Sequence, residues 1–155
     1  MSLTIRKGKK EDLTAVLNLI KELALYEKAP QEVIATVESM EEDGFGKKPF
    51  FEFNLAEVDG KVVGMALYFF SYSTWKGRAI YLDDIIITEK HRRKGIGKKL
   101  FDSVVARAKK TGAKRLAWQV LEWNQPAIEF YKKINAELDG EWVNGRLNER
   151  QIKEY

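Results

Sequence analysis

Two carboxylates stand side by side inside an apolar run, Ile80-Tyr81-Leu82-Asp83-Asp84-Ile85-Ile86-Ile87. Successive side chains of an extended chain point to opposite faces, and here both faces are apolar. The run therefore predicts a central strand covered on both sides. An unpaired charge is costly to bury, and two arrangements meet that cost. Either the strand bulges and one acid pairs with a nearby Lys or Arg, or the strand opens onto a cleft where Asp83 or Asp84 meets a cationic substrate or a water. Directly after it comes Lys90-His91-Arg92-Arg93-Lys94-Gly95-Ile96-Gly97-Lys98-Lys99, with six Lys/Arg in ten residues. Strand, basic glycine-containing loop, then helix is the order that phosphate binding asks for. Glycine lets backbone approach an anion, and a helix N-terminus offers unpaired N–H groups and partial positive charge. The G-x-x-x-x-G-K-[ST] spacing of a P-loop is missing, and Leu100 stands where a dinucleotide fingerprint needs its third glycine. The same residues also suit a solvated basic face.

The elements that must hold these groups can be read from periodicity. Residues 3–7 suit a short strand. Leu13, Val16, Leu17, Ile20, Leu23 and Ala24 form a helical stripe between Lys10 and Tyr26, and Pro30 breaks it. A second helix is expected from Gln31 to Glu42, stopped by Gly44. Phe51, Phe53 and Leu55 alternate with polar residues, so a strand runs to about Val58. Asp59-Gly60 signals a hairpin into a return strand over 62–72. Lys76-Gly77 turns into the strand over 78–87. Ile96, Leu100, Val104 and Ala108 mark a helix from Gly95 to Gly112. Leu116–Leu121 reads as a buried strand. Asn124 and Pro126 open a short helix that carries Ala127, Phe130, Tyr131 and Ile134 on one face, with Asn135 able to end it. A final strand or hairpin is expected over 142–152. Meandering strands followed by a strand-helix-strand crossover predict a mixed sheet, α/β or α+β in class.

Composition narrows the chemistry. The 155 residues suit one domain, 1–155, with a 45% apolar share that can bury a proper core. There is no cysteine and a single histidine, His91. Disulfides, thiol catalysis, thiolate metal sites and any two-imidazole site are excluded, and no metal is expected. The net charge of +4 permits a phosphate-bearing partner without calling for nucleic acid. No apolar run approaches the length of a membrane span, and no signal peptide is visible at the N-terminus, so a cytoplasmic location is the expectation.

Arg92-x-x-Gly95-x-Gly97 resembles the R/Q-x-x-G-x-G/A acetyl-CoA signature of the GNAT superfamily of N-acetyltransferases. Trp123-Asn124-Gln125-Pro126-Ala127-Ile128-Glu129-Phe130-Tyr131-Lys132 looks like a second segment of that family. Asp43-Gly44-Phe45-Gly46, Pro49-Phe50 and Ser73-Thr74-Trp75-Lys76-Gly77-Arg78 resemble the branch of diamine (spermidine/spermine) and thialysine N-epsilon-acetyltransferases. The likeness runs from about Ile5 to Trp142.

The resemblance implies a mostly antiparallel sheet in which two parallel strands, 80–87 and 116–121, splay apart to admit acetyl-CoA. Ile85, Ile86 and Ile87 would line the pantetheine arm. Arg92, Arg93, Lys94, Gly95, Ile96, Gly97 and Lys98 would wrap the pyrophosphate, and Asn124, Ala127 and Tyr131 would meet the cofactor's other side. Tyr131 matches the general acid for the leaving thiolate, although by residue type it also suits a core tyrosine. Asp83 stands where the branch carries Glu, and its shorter side chain favours a base acting through water. Asp84 and Glu27 match positions that hold a cationic substrate, while Glu27 alone would pass for a solvated helix end. The Ser73-Thr74 pair suits hydrogen bonds to an amino-acid acceptor. The implied activity is direct acetyl transfer to a primary amine of a small cationic molecule: a diamine, a polyamine or a lysine-like amino acid. Rival readings are a protein or aminoglycoside amine acceptor, or a non-catalytic acetyl-CoA or nucleic-acid binder. The branch also implies a homodimer, and neither a nucleic acid nor a membrane as partner.

Overall fold

In the computed structural model, which describes all 155 residues, the chain runs through five strands and five helices. They are β1 (Leu3–Lys7), α1 (Leu13–Tyr26), α2 (Val37–Phe45), β2 (Glu52–Val58), β3 (Lys61–Ser73), β4 (Gly77–Ile87), α3 (Ile96–Thr111), β5 (Arg115–Ala117), α4 (Gln125–Lys133) and α5 (Glu149–Glu154). Residues 1–119 and 120–155 form two compact units.

The first unit holds the whole sheet, in the order β1-β2-β3-β4-β5. The first four strands pair antiparallel, and β5 lies parallel to β4. Helices cover both faces. Phe53, Leu55, Met65, Leu67 and Ile86 point to the face where α1 supplies Leu13, Val16, Leu17 and Leu19 and α2 supplies Met40. Their strand neighbours point the other way, toward α3. There Asn54 donates to Ser103 at 2.9 Å. The Arg107 guanidinium grips Glu52 through two bonds of 3.1 and 3.0 Å. Tyr68, almost wholly buried, donates its hydroxyl to the same carboxylate. At the edge, Arg6 clamps Asp12 and Glu57, tying β1 and β2 to the turn that opens α1.

Three expectations from periodicity need correction. The helix expected over 31–42 divides: Pro30–Glu32 makes a 3-10 turn, Val33 is extended, and α2 starts only after Thr36. Thr36 and Ser39 cap each other's backbone N–H groups, a reciprocal start signal that sets the helix later. Gly44 does not stop it: α2 runs on to Phe45, and the Phe51 ring comes within 2.5 Å of where a Cβ of residue 44 would sit, so the glycine serves packing inside the helix. The strand expected over 116–121 lasts only from Arg115 to Ala117. Its pairing with β4 ends there, and the next residue, Trp118, packs edge-on against Phe101 with ring centroids 5.3 Å apart. The strand or hairpin expected over 142–152 is absent. Asn148 and Gln151 form a reciprocal cap, and Lys153–Glu149 and Arg150–Glu154 pair at helical spacing, so the segment closes as α5.

In the second unit α4 begins at Asn124, whose side chain accepts from the Ala127 N–H at 3.5 Å. Tyr131 is its one buried residue. Asn135 ends it in the left-handed conformation, as expected.

Candidate active site

The two aspartates come together because β4 carries a bulge. Leu67 pairs with Asp84 and Tyr68 pairs with Leu82, so Asp83 is an extra residue with no partner on β3. In a regular strand adjacent side chains face opposite ways. Asp84 shares the face of Ile86, which belongs to the α1 side of the core. Asp83 shares the face of Tyr81, which pairs with Phe69, and Phe69 lies on the same side as Leu67. The extra residue thus turns both carboxylates toward α1, the side on which Glu27 caps that helix.

The electrostatics follow from this crowding. Withdrawal from water raises the Asp84 carboxyl first, the charges of Asp83 and Glu27 add to it, and its pKa is pushed up to about 7. Asp83 keeps solvent along one side, yet the surrounding protein raises it too. Glu27 is raised by burial alone. None of the three carboxylates makes an ion pair or a side-chain hydrogen bond within the chain. The first alternative drawn from the sequence is therefore half right: the strand bulges, but no Lys or Arg pairs with either acid.

Beside the bulge β4 has an open edge. Parallel pairing with β5 ends at Tyr81–Ala117, just before Asp83. The Thr88 N–H bonds the Val63 carbonyl at 2.9 Å. By the alternation of an antiparallel ladder, Ile86 and Asp84 then turn their backbone groups to β3, and those of Ile85 and Ile87 point to the open edge. One of these groups is engaged: the Ile87 carbonyl accepts from Arg92 Nε at 2.9 Å.

Beyond β4 the loop makes an anion cradle. Arg93 and Gly95 both adopt left-handed conformations, φ 61° and 76°. Gly95 needs that freedom, and a Cβ there would touch nothing within 4 Å, so the backbone lies open. The six consecutive N–H groups from Arg93 to Lys98 find no acceptor in the chain. The last three belong to the first turn of α3 and carry its positive end. Arg93, Lys94, Lys98 and Lys99 are exposed around them. The group asked of this loop is a diphosphate. The fit is good: the donors are backbone, they are consecutive, and exposed cationic side chains flank them.

A family model described as the acetyltransferase (GNAT) family matches residues 13–136. The chain belongs to this family. A thialysine N-epsilon-acetyltransferase of Bos taurus is 43% identical over 141 residues, covering 86% of this chain and 83% of its own length. The Sus scrofa protein of the same name is 37% identical, covering 99% and 96%. Among solved structures, an aminoglycoside N-acetyltransferase in complex with CoA superimposes with a TM-score of 0.76 over 94% of this chain and 95% of its own; at 18% identity it speaks for the fold alone.

As a GNAT acetyltransferase, the chain distributes its expected site residues unevenly. Glu27, Asp83, Asp84, Ile85, Ile86 and Ile87 gather along the bulged part of β4, and the cradle follows directly. Ile86 is the exception among the three isoleucines, since its side chain is core and its backbone faces β3. Arg92 turns inward: besides Ile87 it stacks over the Tyr26 ring at 5.1 Å and lies 3.9 Å from Glu22. Ser73 and Thr74 are not brought to the acids. They sit at the β3–β4 hairpin tip, where the Ser73 hydroxyl accepts from the N–H groups of Trp75 and Lys76 at 3.3 and 3.1 Å. Six residues of extended chain, roughly 20 Å, separate that tip from Asp83. Asn124, Ala127 and Tyr131 lie in the second unit, on the first two turns of α4. Sequence reasoning missed Glu22 and Tyr26, which hold Arg92. Their signal was positional: both fall on the last turns of α1, the end that also carries Glu27.

Proposed function

We propose that the protein acetylates a terminal primary amine of a small cationic molecule, with a lysine-like amino acid such as thialysine or a diamine ahead of long polyamines, and with acetyl-CoA as acetyl donor. One observation carries the reading. A strand bulge gathers two carboxylates beside a third, none with a cationic partner in the chain, a few residues from a cradle of six free N–H groups. An ammonium suits the first place and a diphosphate the second. The identity to thialysine N-epsilon-acetyltransferases over nearly the whole chain supports the choice of acceptor.

Acetyl-CoA would supply an acetyl group on a thioester, whose carbonyl carbon a neutral amine attacks without covalent help from the protein, forming the amide C–N bond as the C–S bond breaks and the CoA thiolate leaves. The chain's residues do the rest. The backbone from Arg93 to Lys98 binds the diphosphate. The free edge at Ile85 and Ile87 aligns the amide-bearing arm in the manner of an added strand. The Ile85 N–H, pointing out of the open edge, steadies negative charge on the carbonyl oxygen. Glu27, Asp83 and Asp84 hold the acceptor's positive charge. An amine with pKa near 10 must lose a proton before it attacks. Asp83 is the base that the resemblance implies; the raised carboxyl of Asp84, at about 7, favours Asp84 as the group that first takes the proton, with the more exposed Asp83 passing it to water. The return of a proton to the departing thiolate is the role that the family resemblance assigns to Tyr131, on α4.

The test is steady-state CoA release with the purified chain, acetyl-CoA and a panel of thialysine, lysine, ornithine, 1,3-diaminopropane, spermidine, an aminoglycoside and an N-terminal peptide. Turnover concentrated on the small amino acids and diamines is the expected result. CoA release with none of them, or only with the peptide, overturns the reading. The branch's homodimer belongs to the same proposal, supported by the exposure of Trp142, Val143, Leu147 and Ile152 near the C-terminus. Light scattering at the monomer mass would remove it.

A further inference from the structure

On the face that carries the two aspartates, the next residues toward the hairpin tip are aromatic. Tyr81 lies two positions before Asp83 on β4, and Phe69 pairs with it across the ladder. Their rings pack with centroids 5.2 Å apart at an interplanar angle of 32°. Both are only half buried, unlike the neighbouring Tyr68 and Ile80, which face α3 and are closed off from solvent. Tyr81 is also where β5 ends its pairing, so the ring pair borders the point at which the sheet opens. The phenol feels both acids: burial raises its pKa first, and the charges of Asp83 and Asp84 raise it further. It makes no hydrogen bond to either. The ring therefore stands near the acids without neutralising them.

An acceptor whose amine is held at the carboxylates must lay the rest of itself somewhere. Along the strand, Tyr81 is displaced from Asp83 by two residues, about 7 Å. That is close to the reach of a lysine-length chain. Next on the same face come Ser71 and Ala79, too small to form a wall of their own. We propose that the Phe69–Tyr81 ring pair is the surface along which the acceptor's carbon chain lies, and that Tyr81 sets the chain length the enzyme accepts. An aromatic face suits this task, since it offers apolar area to methylenes or a thioether and tolerates a positive charge over its ring. This inference rests on the acetyltransferase reading above.

The experiment compares kcat and KM for 2,4-diaminobutyrate, ornithine, lysine and thialysine in the wild-type protein and in Tyr81→Val and Tyr81→Phe. Valine keeps the strand preference of the position. With Tyr81→Val, KM for lysine and thialysine is expected to rise about tenfold relative to diaminobutyrate, with kcat within about twofold and the KM for acetyl-CoA unchanged. Tyr81→Phe, which keeps the ring, should restore wild-type chain-length preference. The inference falls if Tyr81→Val behaves as wild type, if it weakens all four acceptors equally, if it raises the KM for acetyl-CoA, or if Tyr81→Phe loses as much as Tyr81→Val. A wild-type protein that acetylates none of the four removes the acetyltransferase reading and this inference together. An active wild type with any of the other adverse results removes only the role of Tyr81.

Discussion

Replacing Asp84 by Asn should stabilise the protein, and only at neutral to alkaline pH. The carboxyl is moved from its ordinary value of 3.8 to about 7, first by burial and then by the charges of Asp83 and Glu27. A raised acid means that the folded chain holds its proton more tightly than the unfolded chain. Stability from this group is therefore complete below about pH 4 and is lost as pH rises to about 7. At about 1.4 kcal/mol for each pKa unit, the loss above pH 7 has an upper value of about 4 kcal/mol. The side chain is half buried, so solvent screening brings this toward about 2 kcal/mol. Asn removes the charge while keeping the shape. For a chain of this size the gain at pH 8.5 corresponds to a rise in Tm of about 4–8 °C, with nearly none at pH 4. Urea or thermal melts of both proteins at the two pH values measure it. An equal gain at both pH values, or none at pH 8.5, would show that Asp84 is neither crowded nor desolvated as described. Acetyl transfer should fall in the same variant, the usual relation between a strained site and its function.

Gly95→Ala forces a side chain onto a left-handed residue at the mouth of the cradle, so KM for acetyl-CoA should rise about tenfold while the fold loses only about 1 kcal/mol. Parallel kinetics and melts separate the two effects. Tyr131→Phe should lower kcat while leaving acetyl-CoA affinity, read by calorimetry, within twofold; unchanged turnover across the pH range would remove Tyr131 from proton transfer. Arg107→Met should cost about 2 kcal/mol by leaving Glu52 without its main partner. Burial alone would raise the Glu52 carboxyl, but Arg107, Lys7 and Tyr68 bring it below its ordinary value, so its contribution is present at neutral pH and fades as pH falls through the acid range. Wild type and variant should accordingly converge in urea melts toward pH 3, and a constant difference would contradict that.

The helices that carry the core were legible in the sequence because their apolar spacing is regular and packing follows it: Leu13, Val16 and Leu17 on α1, and Ile96, Leu100 and Val104 on α3, all lie buried. The basic loop was legible because glycine, helix start and cations coincide. What the sequence could not show is register. Asp83 and Asp84 share a face only because one residue of β4 has no partner, a fact of pairing rather than composition. Pairing likewise ends β5 at Ala117, although its apolar residues read as a longer strand. Arg92 looks like one more cation in the loop, and only tertiary contact reveals that it turns back to Ile87, Tyr26 and Glu22. The C-terminal segment misled because Trp142, Val143 and Leu147 suggest a strand, while the caps and ion pairs of the following residues close a helix.

In the proposed mechanism the bulged carboxylates serve the acceptor amine and the loop serves the acyl donor, independently. The most direct measurement is acetyl transfer to thialysine by the double variant Asp83→Asn/Asp84→Asn, alongside calorimetric titration with acetyl-CoA. A loss of turnover on the order of 10²–10⁴, the worth of a general base, with acetyl-CoA affinity within twofold of wild type, is the result expected. Turnover within tenfold of wild type would contradict it, and so would a loss matched by a failure to bind acetyl-CoA.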